Sequence, residues 1–201
     1  MPRRLFSTPR SPFARKIRII LLEKNLPFET VPVDFSGARP PALLAVSPLG
    51  KVPAFVDEDG TAVFDSTVIS EYLEDRYPDP PMLGRSWAER LAQRSLDELG
   101  DTVADQAVAA WLAQMHKNPA GEERAFGTAR KALAELDGRA RGDNGGWPPA
   151  FGVGAAAVIS GTSYFEMRHG RAMLEDHPHL LRQIAAYEAR PSVSATVLSA
   201  L

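Results

Sequence analysis

The spacing of apolar positions changes along the chain, and the elements follow from it. Leu5-Phe6 reads as a short strand, and Pro27-Phe28-Glu29-Thr30-Val31-Pro32-Val33 as another. Between them, Phe13, Ile17, Ile20 and Leu21 fall at i, i+4, i+7 and i+8, one face of a helix. Ser11 is a good N-cap, because its hydroxyl can accept an N–H of the first turn, and Pro12 suits the first helical position. Ser11–Lys24 is therefore expected to be the crossover of a βαβ unit, with its donor-rich N-terminus at one end of a sheet.

Residues 34–41 are a loop by composition, and Ala42 to Val46 allow one or two helical turns. Ser47–Gly50 is a turn. Lys51–Asp57 reads as a strand, Glu58-Asp59-Gly60 breaks it, and Thr61–Phe64 follows at hairpin distance. Pro53 lacks a ladder donor and belongs at a strand start or edge. Asp65-Ser66 opens a helix whose apolar face is Val68, Ile69, Tyr72 and Leu73, and Asp79-Pro80-Pro81 ends it.

Beyond that point only helical spacing recurs. Ser86 to Met115 is helical with an interruption at Gly100, and Ala104, Val108, Trp111 and Met115 share a face. Asn118–Gly121 is a turn. Glu122–Arg139 carries Ala125, Ala129, Leu133 and Leu136 on one side. Gly142–Pro149 is a loop. A mostly apolar helix follows from about Val153 to Met167, and an amphipathic one from His179 to Ala189. The order βαβ, ββα, then helices alone predicts an α/β domain (residues 1–78), a linker (79–85) and an all-α domain (86–201).

Composition narrows the function. At 201 residues, 44% hydrophobic and 24% charged, the chain has the make-up of a globular protein. No apolar run is long enough to span a bilayer and no secretory signal is visible, so no membrane association and a cytoplasmic location are expected. A net charge of −2 disfavours nucleic acid as a partner. Seven basic residues (Arg3, Arg4, Arg10, Arg15, Lys16, Arg18 and Lys24) crowd the first 24 positions against one acid, Glu23. They read either as a solvated basic face or as a field favouring a small anion near Ser11. There is no cysteine, so any thiol chemistry uses a thiol brought by the substrate. His177 and His179 are the one close histidine pair, with no obvious third ligand, and no metal is expected.

Four segments in order resemble the glutathione S-transferases, bacterial and of the serine type, over nearly the whole chain. These are Ser11-Pro12-Phe13 with Arg15-Lys16; Leu22-Glu23-Lys24 through Pro27-Phe28-Glu29; Ser47-Pro48-Leu49-Gly50-Lys51-Val52-Pro53; and Asp65-Ser66-Thr67-Val68-Ile69-Ser70-Glu71-Tyr72-Leu73. The resemblance implies a thioredoxin-like first domain, glutathione as co-substrate without a metal, and a homodimer. It implies a cis Val52-Pro53 bond that presents the Val52 backbone to the cysteinyl unit of glutathione. Ser66 and Asp65 would hold the γ-glutamyl end, Lys51 and Arg39 the glycine carboxylate, and Phe13 would complete the glutathione site. Read from the residues alone, Asp65 and Ser66 also suit a plain helix cap and Lys51 a solvated side chain.

The implied reaction is attack of the glutathione thiolate on a small apolar electrophile. A free thiol titrates near 8.5. Ser11 would donate a hydrogen bond to the sulfur, with helix N–H groups and Arg15 adding to it; Ser7 and Thr8 are the rival hydroxyls. Lowering the thiol pKa by about two units takes roughly 2.7 kcal/mol, within reach of one charge-assisted hydrogen bond at about 1.5–3 kcal/mol. Phe13, Trp111 and Met115, with Tyr164 or Phe165, are the candidates for the electrophile's wall; each also reads as a core residue. Asp97 and Asp101 match acidic positions of similar bacterial members, near a dimer groove, near the peptide, or exposed. The segment Gly152-Val153-Gly154-Ala155 departs from the family's capping box and is expected to cost about 0.5–2 kcal/mol. The other readings are a glutathione-dependent isomerase or dehalogenase, and a regulatory protein that binds glutathione without turnover.

Overall fold

The computed structural model describes residues 1–198. Its first part runs β1 (Arg4–Ser7), α1 (Pro12–Glu23), β2 (Glu29–Pro32), α2 (Pro41–Leu44), β3 (Ala54–Val56), β4 (Ala62–Val63) and α3 (Ser66–Arg76). The four strands form one sheet in the order β2-β1-β3-β4. β1 pairs parallel with β2, so α1 is the crossover of a βαβ unit. β3 runs antiparallel to β1, with Phe6 opposite Ala54, and β4 antiparallel to β3. This is a thioredoxin-like domain. The second part is helical: α4 (Trp87–Met115), α5 (Pro119–Arg141), α6 (Val153–His169), α7 (Ala172–Glu175), α8 (Pro178–Glu188) and α9 (Pro191–Ser194).

Side chains alternate across the sheet. Leu5 and Phe55 face α1 and α3, and there Ile17, Ile20, Leu21, Ile69 and Leu73 join Val153, Ala156 and Ile159 of α6 in one buried cluster. Phe6, Ala54 and Val56 face the other way and pack with Leu43 of α2. The first cluster therefore crosses from the sheet into the helical part. A further cluster holds α4, α5 and α6 together through Leu96, Val103, Ala107, Leu133, Leu136, Val158 and Phe165.

Three expectations need correcting. Helix α4 is not interrupted at Gly100. An ideal Cβ there would lie 2.5 Å from the backbone of Ala157 on α6, so the glycine marks the closest approach of two helices. The predicted face of α4 is also not its core face: Ala104 is buried but Met115 is 60% exposed. The buried residues are Gln93, Leu96, Asp97, Gly100, Val103, Ala104, Ala107 and Ala110, a stripe that shares Ala104 with the predicted one and is rotated from it. Apolar spacing alone cannot choose between two such stripes when alanine lies on both.

The basic cluster is the third. Arg3, Arg15, Lys16 and Lys24 are buried rather than solvated. Arg3 bonds Asp57 at 3.1 Å, Lys16 bonds Asp97 at 2.9 Å and Asp101 at 2.6 Å, and Lys24 bonds Glu74 at 2.9 Å. Acids from far along the chain neutralise three of these four cations, while Arg15 reaches only backbone carbonyls.

Candidate functional site

The sheet register brings three segments to one end of the molecule. β1 ends at Ser7 and leads through residues 8–10 to the N-terminus of α1. β3 is antiparallel to β1, so its start, just after Val52-Pro53, lies beside the end of β1. β4 reverses again, so the segment after it, Asp65-Ser66, returns to the same end. Ser11, residues 51–53 and residues 65–66 thus share one edge.

Ser11 is the N-cap of α1, with an extended backbone, and its Oγ accepts the Ala14 N–H at 3.2 Å. Its own hydroxyl proton meets no acceptor among the described residues. Ser7 is buried, and its hydroxyl already donates to the Thr8 carbonyl at 3.1 Å. Phe13 is half-buried in the first turn of α1. The Val52-Pro53 bond is cis. Lys51 is exposed, and its backbone N–H donates to Ser47 Oγ at 3.4 Å. Arg39 lies against the same turn: its guanidinium is 4.2 Å from the centre of the Phe35 ring, and its chain packs over Gly50. Gly50 has φ +61°, a conformation that disfavours a side chain.

Asp65 is exposed and caps α3, accepting the Thr67 N–H at 3.1 Å and the Val68 N–H at 3.4 Å. One of its oxygens therefore serves the helix and the other faces outward. Ser66 is buried at the first position of α3.

The helical part contributes an acid that sequence reasoning missed. Asp97, Asp101 and Asp105 recur every four residues on α4, one stripe turned toward the first domain. Asp97 and Asp101 meet Lys16. Asp105, one turn further along α4, is exposed, and Lys51 and Asp65 are among the charges that act on it. Burial raises its pKa, Lys51 opposes this, and Glu98 adds to it. Its spacing from Asp97 and Asp101 was the available signal. Burial also pushes the Asp101 carboxyl up to about 6, against the pull of Lys16 and with the repulsion of Asp97.

Other candidates lie elsewhere. Arg15 is turned away from the sulfur position toward the Ile159 and Val193 carbonyls, at 3.5 and 3.3 Å. Tyr164 and Phe165 are core residues of the helical part. Trp111 lies beneath the Arg168 guanidinium, 4.5 Å from the ring centre, and Met115 ends α4 exposed. Neither these two nor Phe13 belongs to an apolar core among the described residues. Among the described residues, no group of three or more His, Cys, Asp or Glu stands ready to hold a metal ion.

Comparison with known proteins gives the family. Residues 5–81 fit the family model of the glutathione S-transferase N-terminal domain. A glutathione S-transferase of Methylobacterium radiotolerans, solved in complex with glutathione sulfonate, superposes with TM-score 0.86 at 31% identity, covering 100% of this chain and 97% of the other. One from Methylobacillus flagellatus with glutathione bound gives TM-score 0.89 at 28% identity, over 98% and 100%. The uncharacterized GST-like protein YibF of Escherichia coli is 27% identical over 92% of this chain and 94% of its own. The chain belongs to the glutathione S-transferase family.

Proposed function

We propose that the protein binds glutathione along the edge shared by Ser11, residues 51–53 and residues 65–66, and transfers it to a small apolar electrophile. The observation that carries this is the free proton of Ser11. A hydroxyl can accept and donate at once, so the cap leaves a donor pointing out of a helix N-terminus, where N–H groups also favour an anion. Ser11 holds the sulfur as thiolate. Val52 pairs its backbone with the cysteinyl unit, Ser66 and the outer oxygen of Asp65 take the γ-glutamyl end, and Lys51 with Arg39 takes the glycine carboxylate. Phe13 is the apolar contact for the electrophile next to Ser11. Glutathione and its sulfonate bound in the two solved relatives support the choice of ligand.

We also take the protein to be a homodimer. Val68, Trp87 and Leu91 are 51%, 77% and 52% exposed along α3 and the start of α4, an apolar surface of the kind that marks an interface. A monomer by sedimentation equilibrium refutes this.

Two measurements test the function. The protein should be retained on immobilised glutathione and should conjugate it to a generic aryl halide. Ser11→Ala should keep most of the retention and lose about 10- to 100-fold in turnover at neutral pH, the equivalent of one charge-assisted hydrogen bond. The thiolate absorbance of bound glutathione should titrate at higher pH in the variant. Failure of the wild type to bind glutathione overturns the site. Turnover unchanged in Ser11→Ala overturns the role of Ser11.

A further inference from the structure

Beyond the edge that carries Ser11, α4 and α6 hold a cation that the proposed glutathione site does not use. The half-buried Arg168 places its guanidinium 4.5 Å from the centre of the Trp111 ring and 5.3 Å from that of Tyr164. Its Nε donates to Tyr164 Oη at 3.1 Å, and Tyr164 is itself buried. An arginine stacked on one ring and tied through Nε to another is held in one orientation. Its two terminal nitrogens donate to nothing among the described residues, and no carboxylate there lies within 4.0 Å of them. Glu166, two residues earlier, pairs with Arg171 instead, at 3.1 Å. A prepositioned fork of N–H donors is left free, the geometry that takes a carboxylate through two parallel bonds.

Helix register sets this fork above the edge. Lys24, just past the end of α1, bonds the Tyr77 and Pro80 carbonyls, and the Met82 carbonyl takes the Val153 N–H at the start of α6. α6 therefore begins at the far end of α1 and returns toward Ser11, with Ile159 beside Arg15. α4 runs the same way as α6, with Leu96 against Gly154, Gly100 against Gly161 and Ala107 against His169. At about 1.5 Å per residue from the Arg15 contact on α6 and the Lys16 contacts on α4, Arg168 and Trp111 lie about 8–10 Å beyond the level of Ser11. Trp111 is offset from Asp97 by about 40° around the helix, so it shares the face of α4 that meets Lys16.

We propose that Arg168 selects electrophiles that carry a carboxylate at the end remote from the reacting carbon, with a flat apolar body between. This rests on the transferase reading above and narrows its substrate. The carboxylate pairs with the Arg168 fork, the body lies beside Trp111, and the reacting carbon reaches the sulfur next to Ser11. With a benzylic chloride, the thiolate forms the C–S bond as the C–Cl bond breaks, and chloride leaves with the electron pair.

4-(Chloromethyl)benzoate is the probe and 4-(chloromethyl)benzamide its uncharged control. Each kcat/KM is divided by the compound's rate with free glutathione, which removes intrinsic reactivity. The acid should be favoured at least tenfold in the wild type. Arg168→Gln should bring the ratio near one by slowing the acid, and Arg168→Lys, which keeps the charge without the fork, should restore part of it. A second measurement needs no variant: 4-methylbenzoate, which has no leaving group, should compete with the chloride at least tenfold more strongly than 4-methylbenzamide. No turnover of either chloride overturns the transferase reading and this proposal with it. Equal efficiency with both chlorides, an unchanged ratio in Arg168→Gln, or equal competition by the two methyl compounds overturns this proposal alone.

Discussion

Helix α6 starts without the serine or threonine and the aspartate that the family usually supplies, and α4 makes good the loss. Gly152 is the N-cap and makes no side-chain bond. Gln93, buried on α4, accepts the Gly154 N–H on its Oε1 at 3.0 Å and donates from Nε2 to the Ala150 carbonyl at 3.1 Å. The Val153 N–H goes to the Met82 carbonyl in the linker at 2.9 Å. The stability loss expected from the missing box is therefore offset across the chain. Gln93→Leu keeps the volume and removes both hydrogen bonds. It strands the buried Gly154 N–H and takes the partner from the part-buried Ala150 carbonyl, so it should cost about 1–3 kcal/mol. The complementary variant is Gly152→Ser, which restores a capping residue. Its Cβ would lie 2.6 Å from the Gln93 carboxamide and collide with the Met82 carbonyl. It should destabilise by about 1–3 kcal/mol through overpacking, although serine is ordinarily the better cap. Urea unfolding followed by far-UV ellipticity reads both, with midpoints compared at unchanged slope. A Gln93→Leu midpoint within about 0.5 kcal/mol of wild type, the range of neutral surface changes, or a stabilised Gly152→Ser, refutes the substitution of one cap by the other.

Three further outcomes follow from the same contacts. Gly100→Ala forces α4 away from Ala157 and should cost about 1–3 kcal/mol by chemical denaturation; a neutral change would show that the helices can part freely. Lys24→Met leaves Glu74 buried with only the Met82 and Leu83 N–H groups, and should cost about 3–5 kcal/mol; Lys24→Met combined with Glu74→Gln should recover part of it in the same assay. Asp101 has a native pKa of about 6 against 3.8 for the free side chain. The native state thus holds this proton more tightly, so stability from the site is complete below about 3.8 and is lost as pH rises through about 6. The wild type should gain on Asp101→Asn by at most about 3 kcal/mol as pH falls from 7 to 4; a wild-type melting temperature that falls relative to the variant's over that range contradicts the sign.

What was legible in the sequence was local. The βαβ crossover, the hairpin and the Ser11 and Asp65 caps rest on signals within a few residues and formed where expected; the run of helices did too, except that α5 begins at Pro119 inside the expected turn and the short α7 and α9 were not foreseen. The Ser86 cap is equally local: it makes a full capping box with Glu89, four letters that sequence reading could have used. The parts that misled are those decided between distant segments. Lys16 and Asp101 are 85 residues apart, and Lys24 and Glu74 are 50 apart. No window shows such pairs, so a buried, neutralised set of cations looked like a surface patch. The stripe of α4 and the role of Gly100 likewise depended on where α6 lay. For the site, the order of Ser11, Pro53 and Ser66 in the chain says nothing of their nearness until the register of β1, β3 and β4 is known. Asp105 needed the same knowledge, since its spacing marks a face but not what the face meets.

The pairing of these cations changes the electrostatic argument for the thiolate. Seven basic residues near Ser11 suggested a broad field that would draw an anion. In the folded chain, Arg3, Lys16 and Lys24 are each matched by an acid, and Lys16 by two. Arg15 points to the opposite side of α1. Near the shared edge, Lys51 is set against Asp65 and Asp105. Three of the seven cations are thus offset, while Arg10, beside Ser11 in the chain, is exposed and makes no ion pair among the described residues; exposed charges beyond about 10 Å are screened in 0.1 M salt. A thiolate there must be held by contacts within hydrogen-bond reach. Those are the Ser11 hydroxyl and the first N–H groups of α1, which act at short range and are little affected by salt. Turnover should therefore fall sharply with loss of the Ser11 hydroxyl and change little with ionic strength, whereas a basic field would give the reverse.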